Sequence, residues 1–211
     1  MANKTIFNKL LTVLILLALS VFYVASAKAD ATDPQSLIQN STENMLQALK
    51  DNEVELEKDP SIIFGLVESI IMPHFDFNKM AKLALGRNWR KASSEQKEQF
   101  TEEFRILLIR SYSTAMLEYT DEKINFLPTR GDLKKKKVKV PMEIIQPGGP
   151  SIPMALSMYQ NKADVWKVYD VKIDGISLVT NYRSTFATQI RNEGMDKLIE
   201  SLVKKNEKVK I

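Results

Sequence analysis

Residues 137–176 read KVKVPMEIIQPGGPSIPMALSMYQNKADVWKVYDVKIDGI, and their period of two decides the fold. Val138, Val140, Met142 and Ile144 alternate with Lys137, Lys139, Pro141 and Glu143. Ile152, Met154, Leu156 and Met158 alternate with Pro153, Ala155, Ser157 and Tyr159. Successive side chains of a strand point to opposite faces, so each apolar set shares one face. Pro147-Gly148-Gly149-Pro150 and the segment from Asn161 to Asp164 are turns. Val165 to Ile173 is a third strand with few polar interruptions, expected at the centre of the sheet. Lys123 to Pro128 is placed as a fourth. Turns this short between successive strands require an antiparallel meander.

Outward from this meander the period changes to that of a helix. Asp33-Pro34 is a cap followed by a first-turn proline, and Leu37, Ile38, Met45, Leu46 and Leu49 follow on one face. Asp59-Pro60 repeats the signal before an apolar stretch from Ile62 to Met72, which Pro73 ends. Asp76 caps a third helix bearing Met80, Leu83 and Leu85, and Gly86 stops it. Ser93-x-x-Gln96 is a capping box for a long helix reaching about Tyr119. Its stripe is Phe100, Phe104, Leu107, Leu108, Tyr112, Ala115, Met116 and Tyr119. Ile106, Ile109 and Leu117 lie off that stripe, so this helix is buried on more than one side. After the strands come two more stripes, Val179, Tyr182, Phe186 and Ile190, then Met195, Leu198, Ile199 and Leu202, with Gly194 between them. Strands preceded and followed by helices make an α+β fold: a curved antiparallel sheet of about four strands wrapped by helices, a cone with an apolar interior.

Composition narrows the function classes. Of 211 residues, 44% are hydrophobic and 27% charged, which is ordinary for a globular chain. There is one histidine and no cysteine. Disulfides, thiolate nucleophiles, zinc fingers and iron–sulfur clusters are therefore excluded. Residues 1–29 read as a signal peptide. Lys4 and Lys9 precede a 15-residue uncharged run, Leu10 to Val24, and Ala25-Ser26-Ala27 and Ala27-Lys28-Ala29 are small-x-small cleavage patterns. A single N-terminal anchor helix is the alternative, although the run is short for a span of ~20 residues. The chain from Asp30 has 182 residues and nearly balanced charge, 27 Lys and Arg against 26 Asp and Glu. It is expected as one domain over 30–205 with a frayed polar tail over 206–211.

Catalytic signals are sparse. His74 stands alone beside Pro73 at a helix end. Gly175-Ile176-Ser177 lacks the glycine that a nucleophile elbow needs two residues after its serine, since Val179 stands there. Asp170 and Asp174 flank the end of the last strand; a carboxylate inside a cone can serve as a general base when burial raises its pKa. An enzyme using either on a hydrophobic substrate is the alternative to a non-catalytic reading. Lys134 to Lys137 is a basic run without interleaved aromatics, so nucleic acid is not the expected partner. A solvated turn leading into an edge strand explains it, as does a patch that docks on an acidic protein or an anionic membrane. Met80, Met116, Met142, Met154 and Met158 fall on apolar faces and fit a pocket that accommodates variable apolar ligands.

Three segments in series carry a resemblance. They are Pro73-His-Phe-Asp-Phe-Asn-Lys-Met-Ala-Lys-Leu-Ala-Leu-Gly86-Arg-Asn-Trp89-Arg-Lys-Ala-Ser93, then Glu95-Gln-Lys-Glu-Gln-Phe100-Thr-Glu-Glu-Phe104, then Trp166 to Phe186 with Asp170, Gly175 and Ser177. The chain from Asp30 onward resembles the MlaC family, the toluene-tolerance Ttg2-type periplasmic lipid carriers. The resemblance implies a periplasmic, monomeric, non-enzymatic protein with a nuclear-transport-factor-2-like fold and no cofactor. It implies a phospholipid held with its acyl chains buried, and traffic between an outer-membrane lipoprotein–porin complex and an inner-membrane ABC transporter with a lipid-binding ring domain, in the service of outer-membrane asymmetry. The expected lipid-binding residues are Leu108, Tyr112 and Met116 on the long helix. From the strands come Val140, Met142, Met154, Leu156, Met158, Val171 and Ile173. Ile176, Val179 and Phe186 complete the set, all converging on one cavity.

Overall fold

Asp33 accepts a hydrogen bond from the Ser36 amide at 2.9 Å, and Pro34 fills the first turn, so α1 (Pro34–Asp51) starts where the cap–proline pair predicts. The structure is a computed structural model that describes residues 33–117, 123–146 and 148–208. The expected signal peptide over residues 1–29 and the expected helix end at Tyr119 lie outside the described residues. Ile38, Ser41 and Met45 form the buried edge of α1. Leu46 was expected beside them but is 43% exposed, because it sits about 100° round the helix from Met45. A short α2 (Glu53–Lys58) follows a break at Asn52, whose side chain and backbone both donate to the Ala48 carbonyl. Sequence periodicity does not reveal α2, since Leu56 is its one buried residue.

Asp59 accepts from the Ser61 amide and hydroxyl just before α3 (Ile62–Ile70). A 3₁₀ turn over Met72–His74 leads to Phe75, which bridges to Val168. Asp76 then caps α4 (Phe77–Leu85) by accepting from the Lys79 amide at 2.9 Å. Gly86, at φ 54°, ends that helix in a conformation that costs glycine little. The capping box is present in both directions: Gln96 N donates to Ser93 Oγ at 3.1 Å, and Ser93 N donates to Gln96 Oε1 at 3.0 Å. It opens α5 (Ser94–Leu117).

The sheet is antiparallel and has six strands: β1 (Lys123–Phe126), β2 (Arg130–Asp132), β3 (Lys137–Ile145), β4 (Ile152–Gln160), β5 (Trp166–Ile173) and β6 (Ile176–Ser177). Its order is β1-β3-β4-β5-β6, and β2 also pairs with β3. Two expectations are corrected. Lys137 begins an interior strand, because β1 and β2 both fold back onto β3. β5 lies toward the edge, with only the two residues of β6 and the Phe75 bridge beyond it. Its apolar character comes from α4 and from α6 (Leu178–Glu193), which pack along it.

A β-bulge sits in β5. Ser157 pairs with Asp170 while Met158 pairs with Val168, which leaves Tyr169 as the extra residue. The bulge reverses the phase of the strand, so Trp166 and Val168 are buried before it and Val171 after it. Asp174-Gly175, at φ 49° and 77°, makes the two-residue hairpin that pairs Ile173 with Ile176.

Three clusters form the core. The first packs Phe100, Phe104, Leu107 and Leu108 of α5 against α4, α6 and α7 (Met195–Lys208). The second lies on one face of the sheet, with Val138, Val140, Met142, Leu156, Met158, Trp166, Val168 and Val171 closed by Ile38 and Leu178. The third joins α1, α2, α3 and the opposite side of α5 through Met45, Leu56, Ile63, Val67 and Ile109. Helix α5 is thus buried on two sides, as its off-stripe apolar residues predict. α7 passes the expected boundary at 205. Asn206 is 5% exposed and donates to the Glu103 carbonyl and carboxylate, which pins the last turn to α5.

Candidate functional site

The even-numbered residues of β3 and β4 build the apolar wall of the site. Val140 pairs with Leu156, Met142 with Met154 and Val138 with Met158, and the bulge brings Val171 and Ile173 into line beside Leu156 and Met154. Val140 and Met158 have no exposed surface, and Val168 beside them has none either. Across from this wall stands Tyr112 of α5. Tyr112 and Phe75 pack against both the sheet cluster and the first helical cluster, and so mark the seam between them.

The expected lipid-binding residues divide along that seam. Val140, Met142, Met154, Leu156, Met158, Val171 and Ile173 belong to the sheet side, with Tyr112 facing them. Leu108, Val179 and Phe186 pack in the helical cluster, where the Phe186 ring meets Phe100 and Phe104 edge-on at 5.4 and 5.7 Å. Met116 packs in the third cluster, because it lies about 20° round α5 from Ile109, which that cluster buries. Ile176 is 61% exposed, since it sits at the tip of the β5–β6 hairpin rather than leading inward. Sequence reasoning missed Phe75, Trp166 and Val168. The last two keep the period of two only as far as the bulge, and the bridge of Phe75 is a long-range contact that no local pattern signals.

Two surface hollows lie elsewhere. A groove of about 1170 Å³ runs between the start of α5, Trp89 and α7, lined by Glu95, Glu98, Glu102 and Glu103 among others. A second, of about 580 Å³, surrounds Gly86, Arg87 and Arg183. None of the expected lipid-binding residues lines either one. The sheet wall and Tyr112 meet in the packed interior instead.

The polar groups near the site hold structure together. Asp170 Oδ1 accepts from Ser177 Oγ at 3.0 Å and from the Val179 amide at 3.2 Å. Ser177 itself caps α6 by accepting from the Thr180 amide. Asp174 is exposed in the hairpin. Burial, and secondarily the Lys167 ammonium, hold the His74 imidazole below the ordinary histidine range. Among the described residues no group of three or more His, Cys, Asp or Glu side chains is arranged to hold a metal ion. No described helix is long and apolar enough to cross a membrane.

The Tyr112 and Tyr182 phenols are raised mainly by burial, Tyr182 to about 12, and Tyr159 reaches about 12 through burial and its bond to Asp76. Unfolded tyrosines ionise near pH 10, roughly. Between about pH 10 and 12 the unfolded chain has therefore lost protons that the folded chain keeps, and rising pH favours unfolding. We expect the urea midpoint to fall between about pH 9 and about pH 11, and to fall less in Tyr182→Phe. A midpoint flat across this range would show that these phenols titrate alike in both states.

Comparison with known proteins adds a lineage. Residues 39–204 match the family profile described as "MlaC protein". The chain belongs to the MlaC family. A relative from Pseudomonas putida is named toluene tolerance protein ttg2D. It is 28% identical over 167 residues, which cover 79% of this chain and 77% of the relative. A Haemophilus influenzae protein named intermembrane phospholipid transport system binding protein MlaC is 24% identical over 186 residues, 87% of each chain. The solved structure of a phospholipid-binding protein from Ralstonia solanacearum, in complex with a phospholipid, superposes with a TM-score of 0.76 at 26% identity. The match covers 84% of this chain and 98% of that one.

Proposed function

We propose that this protein is a non-enzymatic phospholipid carrier of the periplasm. Its signal peptide is removed near residue 29, and it shuttles phospholipid between an outer-membrane lipoprotein–porin complex and an inner-membrane ABC transporter, so maintaining outer-membrane asymmetry. The observation that carries this reading is the apolar sheet wall facing Tyr112, in a fold that superposes on a phospholipid-bound relative. A sixteen-carbon chain loses on the order of 12 kcal/mol in water, at roughly 0.8 kcal/mol per CH₂, so a carrier must offer comparable apolar burial. Acyl chains enter along the seam at Tyr112 and Phe75, parting the sheet cluster from the helices, and the headgroup stays at the surface.

Native mass spectrometry of the purified protein tests this. Heterogeneous co-purified masses matching phospholipids are the expected result, and a ligand-free protein that takes up no lipid from vesicles would remove the reading. The enzyme alternative has a separate signature. Incubation with phospholipid vesicles should return unaltered lipid in stoichiometric amounts. Accumulation of lysolipid abolished by Asp170→Asn or Asp174→Asn would favour the enzyme. The bonds from Asp170 to Ser177 and Val179 support a structural role for that carboxylate.

A further inference from the structure

Two turns meet at one end of the sheet. Asp132 accepts from the Lys134 amide and starts a 3₁₀ turn over Leu133–Lys135, which Lys136 closes at φ 52°. Beside it, Asn161 to Asp164 joins β4 to β5, with Asp164 at φ 58°. The turns are fastened together. Lys136 Nζ bonds Asp164 Oδ1 at 2.5 Å, the Gln160 amide donates to the Lys136 carbonyl at 3.0 Å, and Lys137 pairs with Tyr159. The joint tip carries Lys134, Lys135, Lys136, Lys137 and Lys162 against Asp132 and Asp164. Each aspartate is already engaged, with the Lys135 contact at 3.8 Å the looser of the two ion pairs.

Two aliphatic side chains of the same two turns also face water. Leu133 is 58% exposed and Val165 is 46% exposed, one on each turn. We propose that this tip docks the protein on an anionic phospholipid bilayer surface, the lysines meeting lipid phosphates and Leu133 and Val165 dipping into the headgroup boundary. An acidic protein surface would use the charge but leave the two exposed aliphatics unexplained. A bilayer uses both, because peripheral binding combines attraction to anionic lipid with shallow burial of apolar side chains. Lysine, a flexible and strongly hydrated point charge, suits a fluid array of phosphates. The inference goes beyond the carrier reading and does not depend on what the protein carries.

The test is flotation of the chain from Asp30 onward, which carries the whole described fold, with vesicles. One set is phosphatidylcholine alone, and the other contains about 30% phosphatidylglycerol. The protein should float with the anionic vesicles at low salt and stay behind with the neutral ones. Lys134→Gln, Lys135→Gln and Lys162→Gln together should weaken that binding on the order of 100-fold, given about five-fold per lysine. Leu133→Ser with Val165→Ser should weaken it several-fold and make the residual binding more sensitive to salt. Both variants should keep wild-type bound-lipid content by native mass spectrometry, which separates a docking defect from a loading defect. Wild-type protein that ignores anionic vesicles overturns the proposal, and so does a triple-lysine variant that floats like wild type.

Discussion

Phe104→Ala is expected to destabilise the protein by about 3–5 kcal/mol, the cost of truncating a fully buried aromatic. Phe104 has no exposed surface. Its ring stacks on Phe100 at 5.6 Å and meets Tyr182 and Phe186 edge-on at 5.2 and 5.7 Å. Truncation therefore removes the transfer free energy of the ring, leaves a cavity, and deletes three aromatic contacts worth roughly 0.5–1.5 kcal/mol each beyond burial. The neighbours are themselves large and come from two helices, so they cannot collapse into the gap without moving α5 against α6. Urea unfolding should show a lower midpoint at an unchanged m-value. Thermal unfolding should fall by roughly 2–4 °C for each kcal/mol in a domain of this size. A loss below about 1 kcal/mol would mean that the cluster repacks freely and is not the rigid half of the molecule.

The rigidity of that half bears on the seam. The helical cluster is held by interlocked aromatic rings, whereas the sheet wall is rich in methionine: Met142, Met154 and Met158 stand in it. Unbranched thioether side chains repack at low cost. A lipid that parts the two clusters would then be accommodated mainly by the wall and by Tyr112, with the aromatic cluster serving as the fixed support.

Much of the fold was legible because its signals are local. Asp33, Asp76 and the Ser93–Gln96 box placed three helix starts, and the period of two in β3 and β4 placed the wall. The order of strands was not legible in the same way. Nothing within Lys123 to Asp132 says that both short strands return to β3, since pairing partners are chosen over distance. Nor does β5 announce its bulge. A single extra residue at Tyr169 shifts its inward set from Trp166 and Val168 to Val171 and Ile173, and an unbroken apolar strand masks the shift. The candidate site failed at comparable points. Helix stripes told which residues of α5 were buried, but a helix buried on two sides assigns Leu108 and Met116 to different clusters that a single stripe cannot separate. Ile176 was misplaced because Asp174-Gly175 is a reversing hairpin, which leaves it in the two-residue β6 at the edge of the sheet, 61% exposed although it pairs with Ile173.

Met154→Glu is expected to reduce bound phospholipid more than tenfold while leaving the protein folded. Met154 is half-buried, pairs with Met142 on one side and Ile173 on the other, and packs against the sheet cluster. In the lipid-free protein a carboxylate there still reaches water, so the cost to folding should stay within about 1–2 kcal/mol. With acyl chains in the seam it would be enclosed by hydrocarbon, at a cost of several kcal/mol unless it neutralises. Each 1.4 kcal/mol, roughly, is a factor of ten in affinity. Met154→Leu, which conserves volume, should retain wild-type lipid. Ile176→Glu should retain it as well, since that side chain is 61% exposed on the hairpin. Native mass spectrometry of the three variants, each checked for a cooperative melt, makes the comparison. A folded Met154→Glu protein with full lipid content would place the acyl chains away from the sheet wall. Loss of lipid in Ile176→Glu alone would move the site out to the hairpin and the start of α6.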